Sequence, residues 1–307
     1  MINDISKTFY AGWKLLRIVA VASSSIATIL SSMLPLFSTN TFPVKYLLFM
    51  LIFLSLSAIL VHGVLTHLFN DYVDFQSGTD AHSPAILSGG SRVIQKDLIP
   101  PHLVWKLGKW LAIILLTIGV LLALLGQYEL TLLIVVGVWG AASYSLPSIR
   151  LSYIPFLGEG LSLFPAMFFL GLAGPWIILD SIPLWAIQNA IINALICMGW
   201  VMVHHIPDLE ADRQANPVKR TTVVWCVDKF DLKFAPFPAF LYILMAGLCA
   251  IWVGLERPLA ALFSMSAIIC ALFLISKIDP ENLQQVTAYE KILLLLAVII
   301  ALILGVF

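Results

Sequence analysis

Charge is scarce in this chain. Of 307 residues only 11% are Asp, Glu, Lys or Arg, while 61% are hydrophobic, and the mean hydropathy is +0.99. A soluble domain carries about a quarter charged residues, so this composition argues against a water-facing globular surface and points to lipid. Excess charge of either sign is also missing: seventeen basic residues balance seventeen acidic ones. That speaks against a general nucleic-acid binder, which needs a basic excess. Cysteine is rare too. Cys197, Cys226, Cys249 and Cys270 are scattered and form no CxxC pair, so they read as buried thiols and as neither zinc ligands nor a disulfide framework.

What fills the chain is apolar sequence in runs long enough to cross a hydrocarbon core. Nine are expected, at about 16–37, 46–69, 103–125, 129–147, 155–179, 183–206, 234–255, 258–276 and 286–307. Backbone groups in lipid must be satisfied within the segment, so these runs are helices. The fold class is therefore all-α: a polytopic membrane protein of nine transmembrane helices, forming a single membrane-embedded domain over 1–307. The start, "MINDISKTFYAGWKLLR", sets Phe9, Tyr10 and Trp13 among Lys7, Lys14 and Arg17. It suits an interfacial helix over 1–15 leading into the first span, and it is expected to stay with the mature chain. With the N-terminus inside, fifteen of the seventeen lysines and arginines fall on inner segments, leaving only Lys45 and Arg257 outside. Nine spans then place the C-terminus outside.

Against this background two acidic stretches stand out, both in the long inner connections of roughly 70–102 and 207–233. "HLFNDYVDFQSGTD" brings Asn70, Asp71, Asp74 and Asp80 together, with Asn70, Asp71 and Asp74 on one helical stripe that His67 shares. "HHIPDLEADRQANPVKRT" places Asp208 and Asp212 four apart on one face, with Glu210 turned away. Taken singly, either could be a polar helix end meeting water. Taken together on neighbouring helices, they would converge on one cavity, and four carboxylates at a membrane border require cations. Oxygen donors without thiols suit Mg²⁺, which completes its shell with water and substrate phosphates. Arg92, Lys219 and Arg220 lie just downstream and suit a phosphate. Carboxylates, Mg²⁺ and bases at the edge of an apolar bundle describe a site for an isoprenyl diphosphate. Its departing pyrophosphate leaves an allylic cation for a nucleophile to capture.

In its two acidic motifs and nine spans the chain resembles the UbiA superfamily of intramembrane prenyltransferases, over nearly its whole length. "NDYVDFQSGTD", with Asp80 six residues after Asp74, and "DLEADRQANPVKRTTVV" are similar to the motifs of the 1,4-dihydroxy-2-naphthoate prenyltransferase branch, which makes menaquinone precursors. "YSLPSIRLSYIPFLGEG" resembles the family's inner segment after the fourth span. The resemblance implies a UbiA-type bundle in the inner cell membrane, with its active site facing the cytoplasm. It implies that Asn70, Asp71 and Asp74 hold one Mg²⁺ and Asp208 and Asp212 a second, and that Asp80 is a further ligand or an acid near the acceptor. Arg92, Lys219 and Arg220 would grip the diphosphate, while Tyr144 and Arg150 line the pocket. The implied reaction is polyprenyl transfer to an aromatic acceptor, 1,4-dihydroxy-2-naphthoate in this branch. 4-Hydroxybenzoate, homogentisate or a glycerol-phosphate lipid precursor are the alternatives within the superfamily. Departures from the branch pattern are "NPV" before Lys219, Ser152 where a lysine is common, and His204 and His205 where asparagines are frequent.

Two readings from other classes remain. His67 with Asp71 and His204 with Asp208 are each spaced to chelate a transition metal, as a metal-ion transporter would need. A non-catalytic lipid-binding membrane protein would need no paired acidic clusters.

Overall fold

The computed structural model describes residue 12 and residues 17–39, 41–84 and 87–307. Apart from Gly12, the interfacial helix expected over 1–15 lies outside the described residues. The described chain is all-helical, and nine helices are long and apolar enough to cross a membrane: α1 Ile18–Ser38, α2 Val44–Ser77, α3 Pro101–Leu124, α4 Tyr128–Ser145, α5 Gly158–Leu179, α6 Leu184–His204, α7 Leu232–Val253, α8 Pro258–Ser276 and α9 Leu283–Val306. Apolar side chains on most faces leave the backbone amides no better partners than one another, and the helices follow from that. Prolines at or next to their starts, at Pro101, Pro183 and Pro258, begin several of them where a missing N–H costs nothing.

Helix α6 is the hub. Its central stretch is 83% buried, and it packs against α1, α5, α7 and α9. Buried polar groups on it are satisfied across helices. Asn189 Nδ2 donates to the carbonyls of Ser31 in α1 at 3.0 Å and Leu304 in α9 at 2.9 Å, and Arg257 donates to Asn189 Oδ1 at 2.7 Å. This clip closes the end of the bundle remote from the carboxylates.

Helix α2 runs to Ser77, about two turns beyond the expected 46–69, and its last turns carry Asn70, Asp71 and Asp74 in the helical conformation expected of them. It stops at Gly78, whose φ of +79° is a left-handed cap that a side chain would strain. The second acidic stretch departs from expectation. Asp208 and Asp212 are not on the end of α6, because α6 closes at His204 and the chain turns through Pro207, which lacks the N–H a continuing helix needs. Asp208 then stands at the head of a separate short helix, Leu209–Gln214. Asp212 N–H bonds Asp208 O at 2.8 Å, so the expected i,i+4 relation survives.

Three of the spans contain π-helical stretches that no periodicity in the sequence announces: Ala22–Ile26 in α1, Ile59–Thr66 in α2 and Gly158–Leu163 in α5. All three contribute residues to one cavity.

Candidate active site

That cavity has a volume of about 1020 Å³. Its polar end gathers Asn70, Asp74 and Asp80 from the first acidic stretch with Asp208, Asp212 and Lys219 from the second. The two motifs, some 130 positions apart in sequence, thus share one chamber. The backbone draws them together: Asn216 N–H donates to Ser77 O at the end of α2, and Lys219 N–H to Asp212 O, both at 2.9 Å.

Lys219 is the bridge. Its Nζ donates to Asp74 Oδ1 at 3.1 Å and Oδ2 at 3.3 Å, and stands 3.7 Å from Asp212 Oδ1. The side chain is 7% exposed. Burial alone would lower the pKa of this ammonium, but Asp74 and then Asp212 hold it well above its ordinary 10.5. Asn70 donates to Asp74 Oδ2 at 2.8 Å and accepts from Ser145 in α4 at 3.1 Å. Asp208 accepts a short hydrogen bond from Ser83. Asp80 lies 1% exposed beneath Gly90 and accepts from Gln95 at 2.9 Å. Burial, with Asp74 and Asp71 nearby, pushes its carboxyl up to about 8, so near neutral pH it is chiefly protonated. Gly90 has φ +73°, and a Cβ there would meet Asp80 Oδ1 at 2.6 Å; the close approach requires glycine.

Several expected site residues are placed otherwise. Asp71 is buried but is not on the cavity wall. Arg17 reaches it at 3.3 Å, and Ser91 bonds it through both its backbone N–H and its hydroxyl. Arg92, Arg150 and Arg220 are not brought to the wall either. The Arg92 guanidinium is taken up by the Ser83 and Gly89 carbonyls and so shapes the loop. Arg150 stacks over the Tyr153 ring at 5.3 Å. Arg220 is exposed. Tyr144 does line the cavity, sharing a 3.0 Å hydrogen bond with His205 Nε2.

The sequence reading did not single out Arg17, Ser83, Ser91, His62 or Glu290. Only one signal could have found Glu290: it is a lone carboxylate inside an apolar span, and such residues are functional by default. The His67–Asp71 and His204–Asp208 pairs do not close on each other. Asp71 turns to Arg17 and Ser91, and His204 Nδ1 bonds Glu290 Oε1 at 2.6 Å.

The donor set fits a hard divalent cation. Asp212 Oδ1 is buried without a hydrogen-bond partner, a carboxylate oxygen left for a ligand. Among the described residues no three His, Cys, Asp or Glu groups form a closed metal cage. A cation held here would complete its shell with water and ligand oxygens, which is how Mg²⁺ is usually bound.

Away from the acidic end the wall turns apolar between α2, α3, α4 and α5, through residues such as Leu60, Leu122, Leu130 and Phe169. Measured along α4, the fourteen residues from Tyr144 to Leu130 span about 21 Å. Phe53 and Leu60 of α2 and Ile118 of α3 line this apolar part and are each about 40% exposed. A comparison with protein-family models finds no match, and no curated protein or solved structure matches the chain.

Proposed function

We propose that this chain is an Mg²⁺-dependent intramembrane prenyltransferase of the UbiA type, moving a polyprenyl group from its diphosphate to an aromatic acceptor, with 1,4-dihydroxy-2-naphthoate preferred. The observation that carries this reading is the single cavity that joins both carboxylate motifs and Lys219 at one end to a long apolar channel at the other. A charged head on an apolar tail is the ligand shape such a cavity takes. The distribution of lysine and arginine adds the orientation, with the acidic end cytoplasmic in the inner membrane.

In this reading Asn70, Asp74, Asp208 and Asp212 hold Mg²⁺, which when bound stabilises charge on the departing diphosphate. Asp71 acts at one remove, fixing Arg17 and the Ser91 segment beside the cavity. Lys219, already between the two motifs, would offer its ammonium to diphosphate oxygens. The channel between α2 and α5 holds the polyprenyl chain extended and keeps water from the allylic cation, which would otherwise be quenched.

The test is transfer by the purified protein in lipid nanodiscs. Polyprenyl diphosphate is offered with the naphthoate, 4-hydroxybenzoate or a glycerol phosphate, in Mg²⁺ or in EDTA. Prenylated naphthoate in Mg²⁺ alone is the expected product. Equal or better use of the benzoate overturns the acceptor, and metal flux into liposomes without any transfer overturns the enzyme.

A further inference from the structure

One part of the cavity wall, here called its second arm, is made by Ile18 and Val19 of α1, Trp200 and His204 of α6 and Leu294 of α9, which lie on different helices from those assigned to the prenyl channel. Here His204 Nδ1–H donates to Glu290 Oε1 at 2.6 Å. Glu290 is 0% exposed, and its Oε2 has no hydrogen-bond partner. A carboxylate set this deep in an apolar span is expensive to bury, and nothing in the packing of α9 demands it. What it does for His204 is specific. A carboxylate on Nδ1 fixes the proton there, leaves Nε2 as the basic nitrogen and stabilises the imidazolium that forms when Nε2 takes a proton.

The other histidines on the wall are committed differently. His205 meets Tyr144 through Nε2 and Asp212 through Nδ1, His62 Nδ1 bonds Ser25, and His67 Nδ1 bonds the Gly63 carbonyl. His204 alone pairs a fully buried carboxylate on one nitrogen with an Nε2 that has no hydrogen-bond partner among the described residues. Trp200 stands beside it with ring centroids 5.4 Å apart, a flat apolar surface suited to an aromatic ring.

We infer that the arm between α1, α6 and α9 is the subsite for a hydroxylated aromatic acceptor, that His204 is the general base for its hydroxyl, and that Glu290 is the positioning residue behind it. The assignment rests on the transferase reading above. As the bond from ring carbon to prenyl C1 forms, the C1–O bond breaks and its electron pair leaves on the diphosphate. The hydroxyl proton moves to His204 Nε2, feeding electron density into the ring. The substituted carbon then sheds its proton, or carbon dioxide where it carried the carboxylate, and His204 returns its proton to the acceptor oxygen.

The experiment uses the full chain with Mg²⁺, saturating polyprenyl diphosphate and a series of hydroxyarenes from weakly acidic to fully ionised in the assay buffer. His204→Gln is expected to lose about 10²-fold in kcat with the weakly acidic acceptors, only a few-fold with the ionised one, and none of its affinity for polyprenyl diphosphate. Glu290→Gln preserves shape but removes the negative charge that stabilises the His204 imidazolium, so it should show the same acceptor-dependent loss. It also keeps the test open should His204→Gln fail to fold. Equal losses across all acceptors, no loss, or a matching loss of diphosphate affinity overturn the assignment. A wild-type protein inert with every hydroxyarene removes the transferase reading beneath it, whereas an active wild type with an indifferent His204→Gln removes only the base.

Discussion

Replacing Lys219 by Met tests whether one buried ammonium joins the two acidic motifs. Its Nζ lies 3.1 Å from Asp74 and 3.7 Å from Asp212. At 3.1 Å and an effective dielectric of about 20, each unit pair attracts by about 5 kcal/mol. Much of that is offset by desolvation, so the net value of the bridge is smaller. Taking away one member of a buried pair nevertheless costs about 3–5 kcal/mol, because the partner charges stay behind. At roughly 1.5 °C per kcal/mol for a chain of this length, Lys219→Met should lower Tm by about 5 °C or more in EDTA. The neighbouring Arg220→Met changes an exposed side chain and should stay within about 0.5 kcal/mol of wild type. The pH dependence follows from the raised pKa. A basic group held above its ordinary value contributes fully below that value, 10.5, and loses the contribution only as pH rises through the folded-state pKa. The difference between Lys219→Met and wild type should therefore not shrink between pH 6 and about pH 9. Thermal unfolding in detergent, followed by intrinsic fluorescence, measures all of this. A Lys219→Met protein as stable as Arg220→Met would refute the bridge.

Asp208→Asn should lower turnover by at least about 10²-fold with little change in Tm, and Asp212→Asn should lower turnover as much, whereas Tm should fall as well in Asp212→Asn, which strips Lys219 of a partner, and in Asp71→Asn, which strips Arg17 and Ser91 of one. Near-normal turnover in Asp208→Asn and Asp212→Asn would sink the metal assignment. Mg²⁺ at about one hundred times its dissociation constant should stabilise the wild type by about 2.7 kcal/mol, an increment that the Asp208→Asn/Asp212→Asn double variant should not show. Gly90→Ala puts a Cβ onto Asp80 at a positive φ and should destabilise by about 1–3 kcal/mol; an unchanged Tm would mean the loop yields freely. Leu133→Trp narrows the prenyl channel and should raise KM for long polyprenyl diphosphates while sparing short ones, and equal KM changes for both would remove the channel.

The spans were legible because an apolar run of some twenty residues has one physical solution in lipid, and the acidic motifs because charge is so rare elsewhere. Asn70, Asp74, Asp80, Asp208, Asp212 and Lys219 were found this way and Tyr144 through the resemblance of its segment, and all of them line the one cavity. Less could be read of which cation faces which carboxylate. Arg92 and Lys219 look equivalent in sequence, each a base downstream of aspartates, yet one is bonded to loop carbonyls and the other lies between two carboxylates. The difference is made by Asn216 N–H and the turn after Gln214, contacts between segments far apart in the chain. The π-helical stretches were hidden for another reason: a helix apolar on most faces shows no contrast from which a change of pitch could be read.

Those stretches decide where α2 tolerates a change of length. Its first half, Val44–Ala58, rests on α1 and α5, whereas α3 and α4 pack against the half from Ile59 onward. Each residue turns an α-helix by about 100°, so deleting one residue within Val44–Ala58 would turn everything before it by that angle against the rest, and the start of the span would leave its neighbours. The π-helical stretch Ile59–Thr66 winds more widely, so a one-residue deletion there is taken up by a return to α-helical pitch with both halves in place. Indels are usually a matter for loops, but here the middle of a membrane span should absorb a deletion that its regular first half should not.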